Sequence, residues 1–82
     1  PVVIGRKPKS NNHAYIFFGK KHIKKKNYFN LSKKSDLKEA ASNLYKTMRK
    51  IKEQGYKKIF VAKIPNFGPG IAINDRLTRA SK

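Results

Sequence analysis

The stretch DLKEAASNLYKTMRKIKEQGYKKIFVAKI, residues 36–64, decides the fold. Leu37, Ala40, Ala41, Leu44, Tyr45, Met48 and Ile51 recur at spacings of three and four, which sets them on one face of a helix. Asp36 stands where a side chain can accept the first free amides, with Glu39 three residues later as a reciprocal partner. Lys50 and Lys52 fall in the last turn, where cations favour the helix dipole. Gly55 supplies the left-handed residue that ends such a helix, and Tyr56 is placed to pack back on Ile51. The spacing predicts a helix from about Asp36 to Gln54. Ile59-Phe60-Val61-Ala62 follows as a nearly continuous apolar run reaching Ile64, the pattern of a strand buried on both faces.

Downstream, Pro65-Asn66-Phe67-Gly68-Pro69-Gly70 is rich in turn formers. A second helix is expected from about Ile71, with Ala72, Ile73, Leu77 and Ala80 roughly on one side and Arg76 and Arg79 flanking them. Upstream, Pro1–Gly5 and Ala14–Phe18 read as strands, and Tyr28-Phe29-Asn30-Leu31 as a short third one. Arg6–Asn12 reads as a loop. Lys20–Lys26 is too charged for a core and has room for one helical turn. Strand–helix–strand–helix in the second half indicates an α/β fold with a mostly parallel sheet of about four strands and helices packed on it. About eight residues join the first two strands, fewer than the dozen or more of a usual parallel crossover, which leaves room for an antiparallel edge strand.

At 82 residues and 9.4 kDa the chain is read as one small domain, 1–82, able to bury roughly 60% of its unfolded surface. Seventeen Lys and four Arg face two Asp and two Glu, giving a formal net charge of +17. Such a charge speaks to partners and solubility rather than to fold. Lys, Asn and Ile share AT-rich codons, so genome composition can raise Lys, but it does not explain the scarcity of acids. Cysteine is absent, which excludes disulfides, thiolate metal sites and a cysteine nucleophile. No apolar run reaches the ~18 residues of a membrane span and the opening has no signal-peptide core, so a cytoplasmic setting with no membrane partner is expected. The chain opens Pro1-Val2-Val3-Ile4 without Met, inside an expected strand, and is read as a domain excised from a larger protein.

Candidate chemistry is sparse. Gly68-Pro69-Gly70 leads from a strand into a helix, a geometry that can cradle a phosphate or simply make a tight turn. His13 and His22, with four acids, make a poor pool for a metal site, and both histidines are expected on the surface. No catalytic residue and no metal ligand is assigned. Lys20, Lys21, Lys24, Lys25, Lys26, Lys33 and Lys34 could follow a phosphate backbone by counterion release. Tyr15, Phe17, Phe18, Tyr28 and Phe29 fall in the strand runs, as core or as stacking platforms. No recognised RNA-reading motif accompanies them.

Leu37–Ile51 resembles the "AAxNLYxxLRxxD" helix of one family, and Lys57–Ser81 resembles its closing "IxxExxPxxGLGxAINDRLxRAA". That family is the two-domain threonylcarbamoyl-AMP synthase, and the match is to its small C-terminal domain. Pro65, Gly68, Gly70, Ala72, Ile73, Asn74, Asp75, Arg76, Leu77, Arg79 and Ala80 fall in register. Pro69 stands where the family usually has Leu, Lys63 near a common acid, and Ser81 in place of Ala. The resemblance implies a Rossmann-like domain tied by a linker to a catalytic N-terminal domain. That larger domain would hold ATP, magnesium and threonine and make threonylcarbamoyl-AMP from threonine, bicarbonate and ATP for position 37 of tRNA. Within the present segment the resemblance implies no cofactor. It marks Gly68, Gly70, Asn74, Asp75, Arg76 and Arg79 as a contact surface for the catalytic domain, the linker or a ligand. Asp75 and Arg79 are also four apart, the spacing of a simple helical ion pair. The expected role is accessory, with tRNA as a further partner through the basic surface. The rival reading is a stand-alone basic RNA-binding or ribosome-associated protein.

Overall fold

The computed structural model describes residues 2–21 and 23–81. Pro1 of the expected first strand and His22 of the lysine-rich segment therefore lie outside the described residues. The elements run β1 (Val2–Ile4), β2 (Ala14–Phe17), β3 (Tyr28–Asn30), α1 (Leu37–Glu53), β4 (Ile59–Val61) and α2 (Pro69–Ala80). They form an α/β fold on one four-stranded sheet, ordered β1-β4-β2-β3.

Every strand pair is parallel, so the antiparallel edge strand that the short first connection left room for is not formed among the described residues. β1 does not neighbour β2; β4 lies between them, with Val2 and Ala14 both opposite Ile59. The short connection suffices because the strands are short. Three residues rise only about 10 Å, while residues 5–13 can span about 30 Å when extended. No helical turn forms among the described residues of the second connection, where the amide of Tyr28 closes a turn on the Lys25 carbonyl at 3.1 Å.

Alternation along β2 divides the sheet into two faces. Ala14 and Ile16 join Val61, Ala40, Leu44, Ile51, Ile73 and Leu77 in one core, so both helices lie on that face. Each large aliphatic side chain there contributes roughly 1.5–3 kcal/mol by leaving water. Tyr15 and Phe17 are also buried, on the opposite face, among rings rather than helices. Tyr15 packs edge-on to Tyr28 at 4.9 Å between centroids, and lies opposite Phe60 in register. Lys7 and Ile23, from the two connections, flank these rings. The strand is thus buried on both faces as its composition indicates, but loops cover the second face.

α1 ends as its sequence indicates, with a local adjustment at the start. Asp36 accepts the Lys38 amide at 2.9 Å. Glu39 does not reach back to the Asp36 amide directly. The buried Ser32 hydroxyl stands between, accepting from that amide at 3.0 Å and donating to Glu39 Oε1 at 2.6 Å. At the other end the amides of Gly55 and Tyr56 donate to the carbonyls of Lys52 and Ile51, the paired bonds of a Schellman ending. Tyr45, expected on the apolar stripe, is exposed at its border. α2 begins at Pro69, two residues before its expected start, because proline needs no partner at a first helical position. Gly70, Ile73 and Leu77 form its buried stripe, while Ala72 faces solvent.

Four Asn carboxamides anchor the connections. Asn27 donates to His13 O at 2.8 Å, Asn30 to Gly19 O at 2.9 Å, Asn43 to Leu31 O at 2.8 Å and Asn74 to Ile64 O at 3.0 Å. The Asn content has a structural use beyond codon bias.

Burial pushes the Tyr15 hydroxyl above its ordinary ionisation range, and the neighbouring Tyr28 adds to the effect. An unfolded tyrosine ionises near pH 10. Tyr15 therefore contributes stability that is fully present below about pH 10 and is lost as pH rises through its folded value. Chemical denaturation from pH 9 to 11.5 should show wild type losing more stability than Tyr15→Phe over that range. Parallel losses would contradict this assignment.

Candidate functional site

Two regions gather the candidate residues. The first is the turn entering α2. A β-carbon at Gly70 would overlap the Pro65 carbonyl oxygen, so only glycine permits this approach of helix to strand end. The amide of Gly70 donates to Phe67 O at 2.9 Å, and that of Ile71 to Gly68 O at 3.1 Å. Pro69 has no amide to offer. Two of the amides that a phosphate cradle would present, those of Gly70 and Ile71, are thus bonded within the turn. Asn74 also bonds Asn66 Oδ1 at 3.3 Å, tying the loop to the helix. Asp75 and Arg79 pair at 3.1 Å with both side chains well exposed, so their mutual contribution is small. Arg76 lies over the Tyr45 ring at 5.1 Å and joins α2 to α1. Phe67 and Ile71 stand out from the same turn, 65% and 54% exposed.

The second region is basic. Lys20, Lys21, Lys33 and Lys34 converge around Gly19, where the connections leave β2 and β3, and line a groove of 570 Å³. An adjoining groove of 650 Å³ shares Lys21 and Lys33 and adds Lys24. Lys25 instead lies over the Tyr28 ring at 5.0 Å, and Lys26 is exposed and lines neither groove. Two further cations, Lys46 and Lys50 of α1, complete the second groove. Sequence reasoning passed over them, although their spacing of four puts them on one helix face. The acids are engaged elsewhere. Asp36 caps α1, Glu39 holds Ser32, Asp75 pairs with Arg79, and Glu53 lines a different groove between α1 and α2.

The fold and the α2 turn agree with one comparison. The protein-family description "Threonylcarbamoyl-AMP synthase, C-terminal domain" matches residues 3–82. The chain belongs to this family. Its context is therefore threonylcarbamoyladenosine biosynthesis in tRNA modification. No curated protein and no solved structure matches the chain.

The match extends the resemblance from the closing motif to nearly the whole of this threonylcarbamoyl-AMP synthase C-terminal domain. Among its described residues no three His, Asp or Glu side chains converge as a metal site would need. His13 is half-buried and stacks on Phe60 at 5.6 Å between centroids. No helix among the described residues is long and apolar enough to cross a membrane.

Proposed function

We propose that this domain is the accessory module of an L-threonylcarbamoyladenylate synthase. The catalytic N-terminal domain of the same protein makes threonylcarbamoyl-AMP from threonine, bicarbonate and ATP. This segment docks on that domain and its linker through the opening of α2. The carrying observation is the pair Phe67 and Ile71, exposed beside a turn whose Gly70 and Ile71 amides are bonded internally. Apolar side chains grouped on a rigid support mark contact surfaces. Gly68, Gly70 and Asn74 shape the turn, and Asp75, Arg76 and Arg79 supply the polar surroundings of the contact. The proposed compartment is the cytoplasm.

The test uses the full-length synthase carrying this domain. Phe67→Ser with Ile71→Ser should lower threonine-dependent pyrophosphate release at least about fivefold, since an interface anchor typically costs above 1 kcal/mol. The isolated domain should melt within a few degrees of wild type and release no pyrophosphate itself. Unchanged full-length activity would remove the docking surface, and pyrophosphate from the isolated chain would remove the accessory role.

The same reading includes a weak, salt-sensitive contact with tRNA through Lys20, Lys21, Lys24, Lys25, Lys26, Lys33 and Lys34. Its support is the convergence of Lys20, Lys21, Lys24, Lys33 and Lys34 at one sheet end in grooves that no acid lines, with Lys25 and Lys26 on the adjoining loop. Affinity should fall steeply with salt and barely differ between tRNA and an unrelated RNA. A hundredfold preference for one tRNA would contradict it.

A further inference from the structure

We infer that the groove running round the β3 edge to α1 binds single-stranded RNA, with Lys46 and Lys50 of α1 as contacts and Tyr28 as a stacking surface. This rests on the RNA contact proposed above and specifies the form of RNA it takes.

Three observations converge on the groove. Its rim carries Lys21, Lys24, Lys33, Lys46 and Lys50, contributed by two loops and a helix, so the positive charge surrounds the space. No acid lines it. Its apolar and aromatic floor runs round the sheet edge. Phe29 lines it on the helix face of β3, while Tyr28, in register with Tyr15, lines it with Ile23 on the other face, all three partly accessible. Lys25 lies over the Tyr28 ring at 5.0 Å, in the place an incoming base would take. A cationic rim attracts any polyanion, but cations over an aromatic floor suit a strand whose bases are free to leave their stack. A duplex presents its phosphates outward and hides its base faces, so it can use the rim but not the floor.

The third observation is the edge itself. β3 is the last strand of the sheet and pairs only with β2. Its outer amides and carbonyls face away from the ladder, as at any sheet edge. The Tyr28 amide is taken by the Lys25 carbonyl at 3.1 Å, so the remaining outer groups of the edge are those that can bond base edges in the groove. An acidic peptide could also pair with this edge, but it would leave the aromatic floor without a partner of matching shape.

The experiment measures fluorescence anisotropy of a labelled 12-nucleotide single-stranded RNA and of the corresponding 12-base-pair duplex, at 50 and 200 mM salt. Wild type should bind the single strand at least about fivefold tighter than the duplex, the lower end of what one stacked base supplies. Lys46→Ala with Lys50→Ala should weaken binding of the single strand and reduce the salt slope by about 1.4, two phosphates at roughly 0.7 each. Lys52→Ala with Lys57→Ala, which removes the same charge beside the α1–α2 groove, should do so by less than half as much. Tyr28→Leu should abolish the preference for the single strand while leaving the salt slope unchanged, with folding checked by melting. Equal affinity for both RNA forms, or equal effects of the two lysine pairs, would overturn the groove while leaving a diffuse RNA contact. Competition by polyglutamate as strong as by RNA at equal charge would also overturn it, in favour of an acidic protein. Failure of either RNA to bind at 50 mM salt would remove the RNA contact altogether, without touching the docking role of α2.

Discussion

Gly70→Ala should lower the melting temperature of the domain by roughly 8–16 °C. In most helices this replacement is favourable by about 1 kcal/mol, because alanine loses less backbone freedom on folding. Here the added carbon would overlap the Pro65 carbonyl oxygen, with the Pro65 carbonyl carbon at 3.1 Å and Leu37 Cδ1 at 3.6 Å. The first two are backbone atoms of the loop that follows β4 and cannot rotate aside. Relief requires α2 to move off the strand end, and Ile73 and Leu77 would move with it out of the core. Overpacking of this kind costs about 1–3 kcal/mol; at the upper end, less the helical gain, a net loss of about 2 kcal/mol corresponds to the stated shift at about 4–8 °C per kcal/mol. Thermal unfolding followed by circular dichroism measures it. A variant melting at or above wild type would show that the approach of α2 to Pro65 is not required.

Leu77→Ala should destabilise the domain by about 2–5 kcal/mol, whereas Arg79→Ala should cost about 0.5 kcal/mol or less. Both residues belong to the closing motif, but their surroundings differ. Leu77 is fully buried among Ile16, Val61 and Ile73, while the Arg79 side chain is 79% exposed and bound only to Asp75. Arg76→Ala should fall between them, near 1 kcal/mol, because its guanidinium also covers Tyr45. Melting of the three isolated variants beside activity of the same variants in the full-length synthase separates packing from contact. Arg variants that melt as early as Leu77→Ala would make the whole motif structural. Arg variants that melt normally with unchanged synthase activity would make these charges solvated surface.

Much of this molecule is written in local sequence. The α1 stripe Ala40, Leu44 and Ile51, the Asp36 cap and the Gly55 ending all involve partners within a few residues. The closing motif identifies the family for the same reason, since its register lies along one loop and one helix. The departures come from neighbours outside the helix. Tyr45 has the right spacing for the core but sits at the stripe's border, where Arg76 of another helix covers it. Ser32 enters the α1 cap because β3 ends just before it, a circumstance that the cap residues themselves do not carry.

The sequence by itself determined the α/β class, both helices, the buried runs and the family, because helical periodicity and capping are satisfied by bonds spanning three to five residues. Only the tertiary structure decided that β4 enters between β1 and β2, bringing Val2 and Ala14 to Ile59 across more than forty residues of chain. It also decided which lysines share a groove. Lys46 and Lys50 look like ordinary solvated positions in their own helix, and become neighbours of Lys21, Lys24 and Lys33 only when α1 settles beside β3. Burial of Leu44, Ile51 and their partners orients that helix, and the positions of its exposed charges follow from the way its apolar face is packed.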